Sequence, residues 1–326
     1  MRTERSRDLR GLSFDAARFG LLVLALWFAL DAAWRALPLI RAGHRQTVGI
    51  KLDMAARSQL FQSDAPVRLA VLGDSRVQTG FIPGLFDELS GGRVSSFNFG
   101  LPADEPYLDL VATLSRRGPQ APTHLLVTNP WPAGSAPSFW ERLEHDAQIA
   151  DQLFPFRRLG RDLLSFFDRA SDHGGVVTYA KGLRGVRAQL RDERGYLVIG
   201  KGRPQSFHLP PDYREAGDLP GAVMEVDYPE QGDALGRLLQ AARAAGMEVW
   251  IAPSYVREGR FGPPGRERLE GGLLAAAGIR RFGPAYWRYP NRLFSDGVHT
   301  SRVGARRYTT DLFGLLEPWI AAEGTP

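Results

Sequence analysis

Five short apolar runs, separated by stretches at helical spacing, limit what this chain can fold into. Val67–Leu72, Val94–Phe99, His124–Thr128, Met247–Ala252 and Ile279–Phe282 read as buried strands. Glu105 to Arg117 places Leu108, Leu110, Val111 and Leu114 largely on one side of a helix, and Ala234 to Ala245 does the same with Leu235, Leu238, Leu239 and Ala242. Ser301 to Ala322 reads as a last helix, with Thr300 or Ser301 as its N-cap. Strands alternating with helices need right-handed crossovers, which give a parallel sheet covered on both faces. The expected class is α/β: a three-layer α/β/α sandwich around a five-stranded parallel, flavodoxin-like sheet. Such sheets place their chemistry beyond the carboxyl ends of the strands.

Two motifs fall at such positions. Gly73-Asp74-Ser75 follows the first strand, and Asp296-Gly297-Val298-His299 precedes the last helix. An Asp three residues before a His can hold one imidazole nitrogen and leave the other to take a proton from a serine hydroxyl. Taken singly, Gly-Asp-Ser is an ordinary turn and Asp-x-x-His an ordinary solvated pair. Joined in order, they point to nucleophilic catalysis. His44, His124, His145, His173 and His208 have no partner at such spacing and read as surface or structural.

With these blocks the chain resembles the SGNH (GDSL-like) hydrolase superfamily. Gly73-Asp74-Ser75 matches the nucleophile block, Asn98-Phe99-Gly100 the second block, Asn129 the third, and Asp296 with His299 the last. The resemblance implies Ser75 as nucleophile, His299 as base and Asp296 as its orienter. It implies Ser75 N–H, Gly100 N–H and the Asn129 side chain as oxyanion donors. The third block departs from the family's usual Gly-x-Asn-Asp, reading Val127-Thr128-Asn129-Pro130 here.

Ahead of this domain, Arg2, Arg5, Arg7 and Arg10 precede the uncharged stretch Phe19–Leu30. That core is shorter than the roughly twenty residues a spanning helix needs, and extending it to Ile40 takes in Asp31 and Arg35, an i,i+4 pair. Signal-anchor, cleaved signal peptide and amphipathic surface helix are the competing readings. No small-x-small cleavage site follows, so a single anchor with its N-terminus in the cytoplasm is expected, although Arg41 and Arg45 blunt the charge asymmetry. The chain then divides into a leader and anchor at 1–45 and a catalytic domain at 46–326, with an insert at about 131–230.

The insert carries most of the basic excess. The formal net charge is +5, and from Pro155 to Gln205 eleven Lys/Arg stand against five Asp/Glu. Arg157, Arg158 and Arg161 alternate with apolar residues at helical spacing, which suits either an anionic glycan or headgroup surface or a solvated face. No nucleic-acid-binding module accompanies this charge. The absence of cysteine excludes disulfides, thiolate nucleophiles and Cys-based zinc sites, and no metal-ligand spacing or cofactor motif is visible.

The function that follows is acyl transfer through an acyl-serine. Membrane-anchored members of the superfamily, including alginate O-acetylation and teichoic acid D-alanine transfer proteins, have a similar layout and work beside a multi-span membrane acyltransferase. That similarity implies O-acylation or deacylation of an extracytoplasmic, cell-envelope polysaccharide. A lipid or small-ester hydrolase with the insert as lid is the alternative enzyme. A non-catalytic scaffold subunit is the alternative from another class.

Overall fold

The computed structural model describes residues 2–36, 46–62, 64–101, 107–128, 156, 159–197, 208–223, 234–264 and 279–323. Its contacts cluster into two units. One comprises Met1–Gly49 and Phe139–Leu183, the other Ile50–Ser138 and Arg184–Pro326. The division therefore runs through the expected insert, grouping residues 139–183 with the N-terminal segment.

The second unit is built on a five-stranded parallel sheet of β1 (Val67–Gly73), β2 (Val94–Gly100), β3 (His124–Val127), β4 (Glu248–Ile251) and β6 (Arg280–Arg281). The strand order is β2-β1-β3-β4-β6, the doubly wound order in which the chain reverses direction at β1. Every residue of β2 is buried, including Ser95, Ser96 and Asn98, so its polar groups need partners. Ser95 Oγ accepts from Gln62 N–H at 2.9 Å and from Arg194 at 2.7 Å. Asp87, ion-paired with Arg194, accepts from Ser96 N–H at 2.9 Å and Ser96 Oγ at 2.7 Å. Asn98 N–H donates to Arg194 O at 2.9 Å, which occupies part of an edge that would otherwise invite another strand.

The expected helices form as α5 (Tyr107–Ser115), α8 (Ala234–Ala244) and α9 (Arg302–Glu323). Leu110, Val111 and Leu114 of α5 and Leu238, Leu239 and Ala242 of α8 are buried. The side chains of Leu108 and Leu235 lie outside the described residues. Ser301 is the α9 cap, its Oγ accepting from Gly304 N–H at 3.3 Å. Ala305, Tyr308, Leu312, Leu316 and Ile320 form the buried stripe of α9, and Pro318 interrupts its hydrogen-bond ladder. Two short helices, α3 (Ser75–Gly80) and α4 (Pro83–Leu89), follow β1. A second, two-stranded parallel sheet joins β5 (Ser254–Arg257) to β7 (Tyr286–Tyr289). No alternating pattern of useful length announces it, because each strand has only four residues.

The first unit contains α1 (Arg2–Ala36), a continuous helix of 35 residues. Its window Ala16–Ala33 has mean hydropathy 1.7 and none of it is buried. Phe19, Leu21, Leu22, Val23, Leu24, Leu26 and Phe28 are each between 50% and 70% exposed. At about 1.5 Å per residue that window spans ~27 Å, close to the bilayer core of ~30 Å. The helix is thus apolar and long enough to cross a membrane, because it runs past the twelve-residue core. Arg35's side chain, and with it the expected pair with Asp31, lies outside the described residues. In the same unit α6 (Leu159–Asp172) buries Phe166 and Ala170 against Tyr179 and Leu183 of α7 (Val176–Asp192), leaving Leu164 and Phe167 exposed.

Phe86 of α4 ties the sheet's helical cover together. It meets Phe81 at 5.4 Å and stands edge-on to Phe313 of α9 at 5.6 Å. It is fully buried, so Phe86→Ala should cost about 3–5 kcal/mol of unfolding free energy. Equilibrium denaturation would read this directly, and a loss below ~1 kcal/mol would show that α4 is peripheral to the core.

Candidate active site

Parallel register sets the site. Gly73 pairs with Gly100, and Leu72 pairs with both Phe99 and Val127, so three strands end at one level. The chain leaves β1 through Asp74, whose carboxylate accepts from Arg76 N–H at 2.9 Å and caps α3. Its ion pair with the Arg76 guanidinium, at 2.9 Å, fixes the same turn. Ser75 is the first residue of α3, where a backbone N–H has no intrahelical acceptor.

His299 approaches from the loop before α9. Its Nε2 lies 3.0 Å from Ser75 Oγ, and its Nδ1 lies 2.9 and 3.1 Å from the two Asp296 oxygens. An ionised carboxylate only accepts, so Nδ1 carries the proton and Nε2 presents its lone pair to the serine hydroxyl. Asp296 is held in turn by the N–H groups of Val298 at 2.9 Å and His299 at 2.8 Å. Burial opposes its ionisation, but the His299 ring and these two amides outweigh that and hold the carboxyl well below the usual range. Ser75, His299 and Asp296, 224 residues apart at the extremes of the Ser–His bond, therefore form one hydrogen-bonded chain.

The other expected residues fare differently. Gly100 N–H donates to Asn98 Oδ1 at 2.8 Å, so this amide is engaged inside the protein. A Cβ at Gly100 would collide with the Gln78 backbone, which is why this strand end must be glycine for α3 to lie against it. Asn129, Arg157 and Arg158 lie outside the described residues. Arg161 is in α6, and its side chain also lies outside them.

Four residues hold α3, which carries Ser75, and the end of β2 in place; of these, Tyr255 and Lys51 were not singled out from sequence. Asn98, fully buried, donates to Val77 O at 2.8 Å and Phe81 O at 2.7 Å, tying β2 to α3. Tyr255 of β5 donates to Arg76 O at 2.8 Å, and its hydroxyl lies 3.3 Å from Thr300 Oγ1, next to His299. Burial pushes the Tyr255 phenol up to about 12, which keeps it a donor. Thr300 Oγ1 donates to Thr79 O at 3.1 Å, closing a bridge between α3 and the histidine loop. Lys51, in α2 (Gln46–Arg57), is fully buried and donates to Gly100 O at 2.6 Å. Asn98 was marked in the sequence by the block Asn98-Phe99-Gly100.

Beyond the triad, the segment 208–218, at the far end of the expected insert, braces the histidine loop. Leu209 N–H donates to Phe294 O at 2.8 Å, and Asn291 Nδ2 donates to Pro211 O at 2.7 Å. Glu215 lies directly against Gly297 and accepts from Tyr213 OH at 2.7 Å. No protein-family model, curated protein or solved structure matches the chain.

Burial holds the Lys51 ammonium well below its ordinary value of 10.5. Between the lowered folded value and 10.5 the unfolded chain binds a proton that the native chain lacks. Stability linked to this group therefore increases as pH rises through that window. Unfolding measured from neutral pH toward 10.5 should show this rise in the wild type and lose it in Lys51→Met. An identical slope in both would place the lysine in water.

Proposed function

We propose that this chain is an SGNH-type serine acyl-transfer enzyme, anchored by α1 and acting on an acylated polysaccharide of the cell envelope. The observation that carries the proposal is the hydrogen-bonded chain from Asp296 through His299 to Ser75. Ser75 Oγ attacks an ester carbonyl as its proton passes to His299 Nε2, while Asp296 stabilises the imidazolium and holds its orientation. The tetrahedral oxyanion forms near the Ser75 N–H, the donor that α3 leaves without an intrahelical acceptor. As the C–O bond breaks, the leaving alcohol takes the proton from His299, and an acyl-serine remains. Attack by water completes hydrolysis and attack by a sugar hydroxyl completes transfer. In both, His299 takes the acceptor's proton and returns it to Ser75.

The same reading assigns Gly100 and Asn129 to the oxyanion site. The Gly100 amide would have to exchange Asn98 Oδ1 for the substrate oxygen, a local rotation at the strand end. It also takes the helices as covering both faces of the sheet in a three-layer sandwich. The arginines preceding the apolar window of α1 favour a cytoplasmic N-terminus and an extracytoplasmic catalytic domain. In that compartment the substrate is a glycan presented at the membrane, and a multi-span membrane acyltransferase is the partner that would supply acyl groups. Arg157, Arg158 and Arg161 supply positive charge for an anionic polymer in this scheme.

The full chain in detergent should react with a fluorophosphonate and hydrolyse a small activated ester. Ser75→Ala should abolish labelling and lower turnover on the order of a thousandfold, and Asp296→Asn should lower kcat at least about a hundredfold by favouring the wrong imidazole tautomer. Labelling that survives Ser75→Ala would remove the nucleophile assignment and leave a non-catalytic subunit as the better reading. For topology, a reporter fused after Pro326 should be active only outside the cytoplasm. A cytoplasmic signal would overturn the orientation.

A further inference from the structure

At the opposite end of the strands from Ser75, β3 and β4 begin with His124 and Glu248, which are register partners. His124 is 5% exposed, and its Nδ1 lies 2.8 Å from Thr123 Oγ1. That hydroxyl accepts from Arg68 N–H at 2.9 Å and directs its own proton toward Arg68 O at 3.4 Å. With Nδ1 donating to that hydroxyl, Nε2 is left as a bare lone pair. This buried nitrogen has no hydrogen-bond partner among the described residues. It faces Glu248 Oε2 at 3.6 Å, too far for a hydrogen bond. A lone pair aimed at a carboxylate oxygen is an unfavourable arrangement unless a positive charge lies between them.

The third group comes from the last turn of α9. The ligand atoms of His124, Glu248 and Glu323 all lie within 4.8 Å of one another. We propose that His124, Glu248 and Glu323 bind a divalent transition-metal cation of the zinc class. Ligand atoms bound at about 2.0–2.1 Å in tetrahedral geometry are ~3.4 Å apart, near the observed His124–Glu248 separation. One imidazole nitrogen with two carboxylate oxygens suits zinc better than magnesium or calcium, which take oxygen donors.

The surroundings prepare each ligand. Glu248 Oε1 accepts from Trp250 Nε1 and from Arg280 Nε, each at 3.0 Å, which leaves Oε2 for the ion. Glu323 lies one helical turn beyond Trp319, whose ring meets Phe282 at 5.6 Å and the Arg280 guanidinium at 4.9 Å. These contacts bring the end of α9 to the sheet, and the cation staples it there.

The test uses the full chain in detergent, stripped with chelator and titrated with Co²⁺. The expected result is saturable binding of one equivalent, with the visible absorption of four- or five-coordinate Co²⁺, displaced by Zn²⁺. Glu323 is exposed, so Glu323→Gln leaves the core intact and should weaken binding at least about tenfold. Zn²⁺ should raise the unfolding midpoint of the wild type and not that of this variant. His124→Gln should also lose binding; if it fails to fold, Glu323→Gln and Glu248→Gln decide. Absence of saturable Co²⁺ binding, or binding unchanged in both carboxylate variants, overturns the site.

Discussion

The level at which the parallel strands end is the constraint on which the rest of this structure depends. With Gly73 beside Gly100 and Leu72 beside Val127, the segments leaving β1, β2 and β3 start from one edge. A shift of two residues in any pair would keep the side-chain faces but separate Ser75 from Asn98 and its lysine. The seven-residue pairing of β1 with β2, whose β2 side is buried along its whole length, makes such a shift expensive.

That edge is held by polar groups rather than by apolar packing alone. Asn98 bonds two carbonyls of the α3 segment and the Gly100 amide, and Tyr255 bonds a third carbonyl of the same segment. Each buried donor that finds an acceptor avoids the ~1–3 kcal/mol of leaving it unpaired. The gain is orientation: an apolar core would tolerate α3 sliding, whereas these bonds fix the turn that carries Ser75. Lys51 is the exception in energy, since its burial disfavours the charge and its carbonyl contact offsets only part of that cost.

The two units differ in what they expose and bury. The unit containing α1 exposes a continuous apolar surface that water does not favour, while the sheet-bearing unit buries its large aromatics. The triad lies wholly in the second unit, as do the groups that brace it. The hydrogen bonds joining Ser75, His299 and Asp296 therefore need no side chain from the apolar helix.

What the sequence by itself determined is what local pattern encodes. Five apolar runs specified the sheet strands to within one or two residues, the helical spacings specified α5, α8 and α9, and Asp-x-x-His specified a pair whose bond closes within one loop. Only the tertiary structure decided the rest, because its partners are distant in the chain. Lys51 sits in a helix whose fate depends on β2, and four-residue β5 acquires meaning only when β7 pairs with it. Tyr255 reaches Arg76 across 179 positions, and the Gly100 amide turns to Asn98 although it lies in a recognisable block. His124, without a partner at any readable spacing, meets Glu248 through strand register and Glu323 through the docking of the last helix. Such meetings follow from how the sheet's two ends gather segments, and no window along the chain contains them.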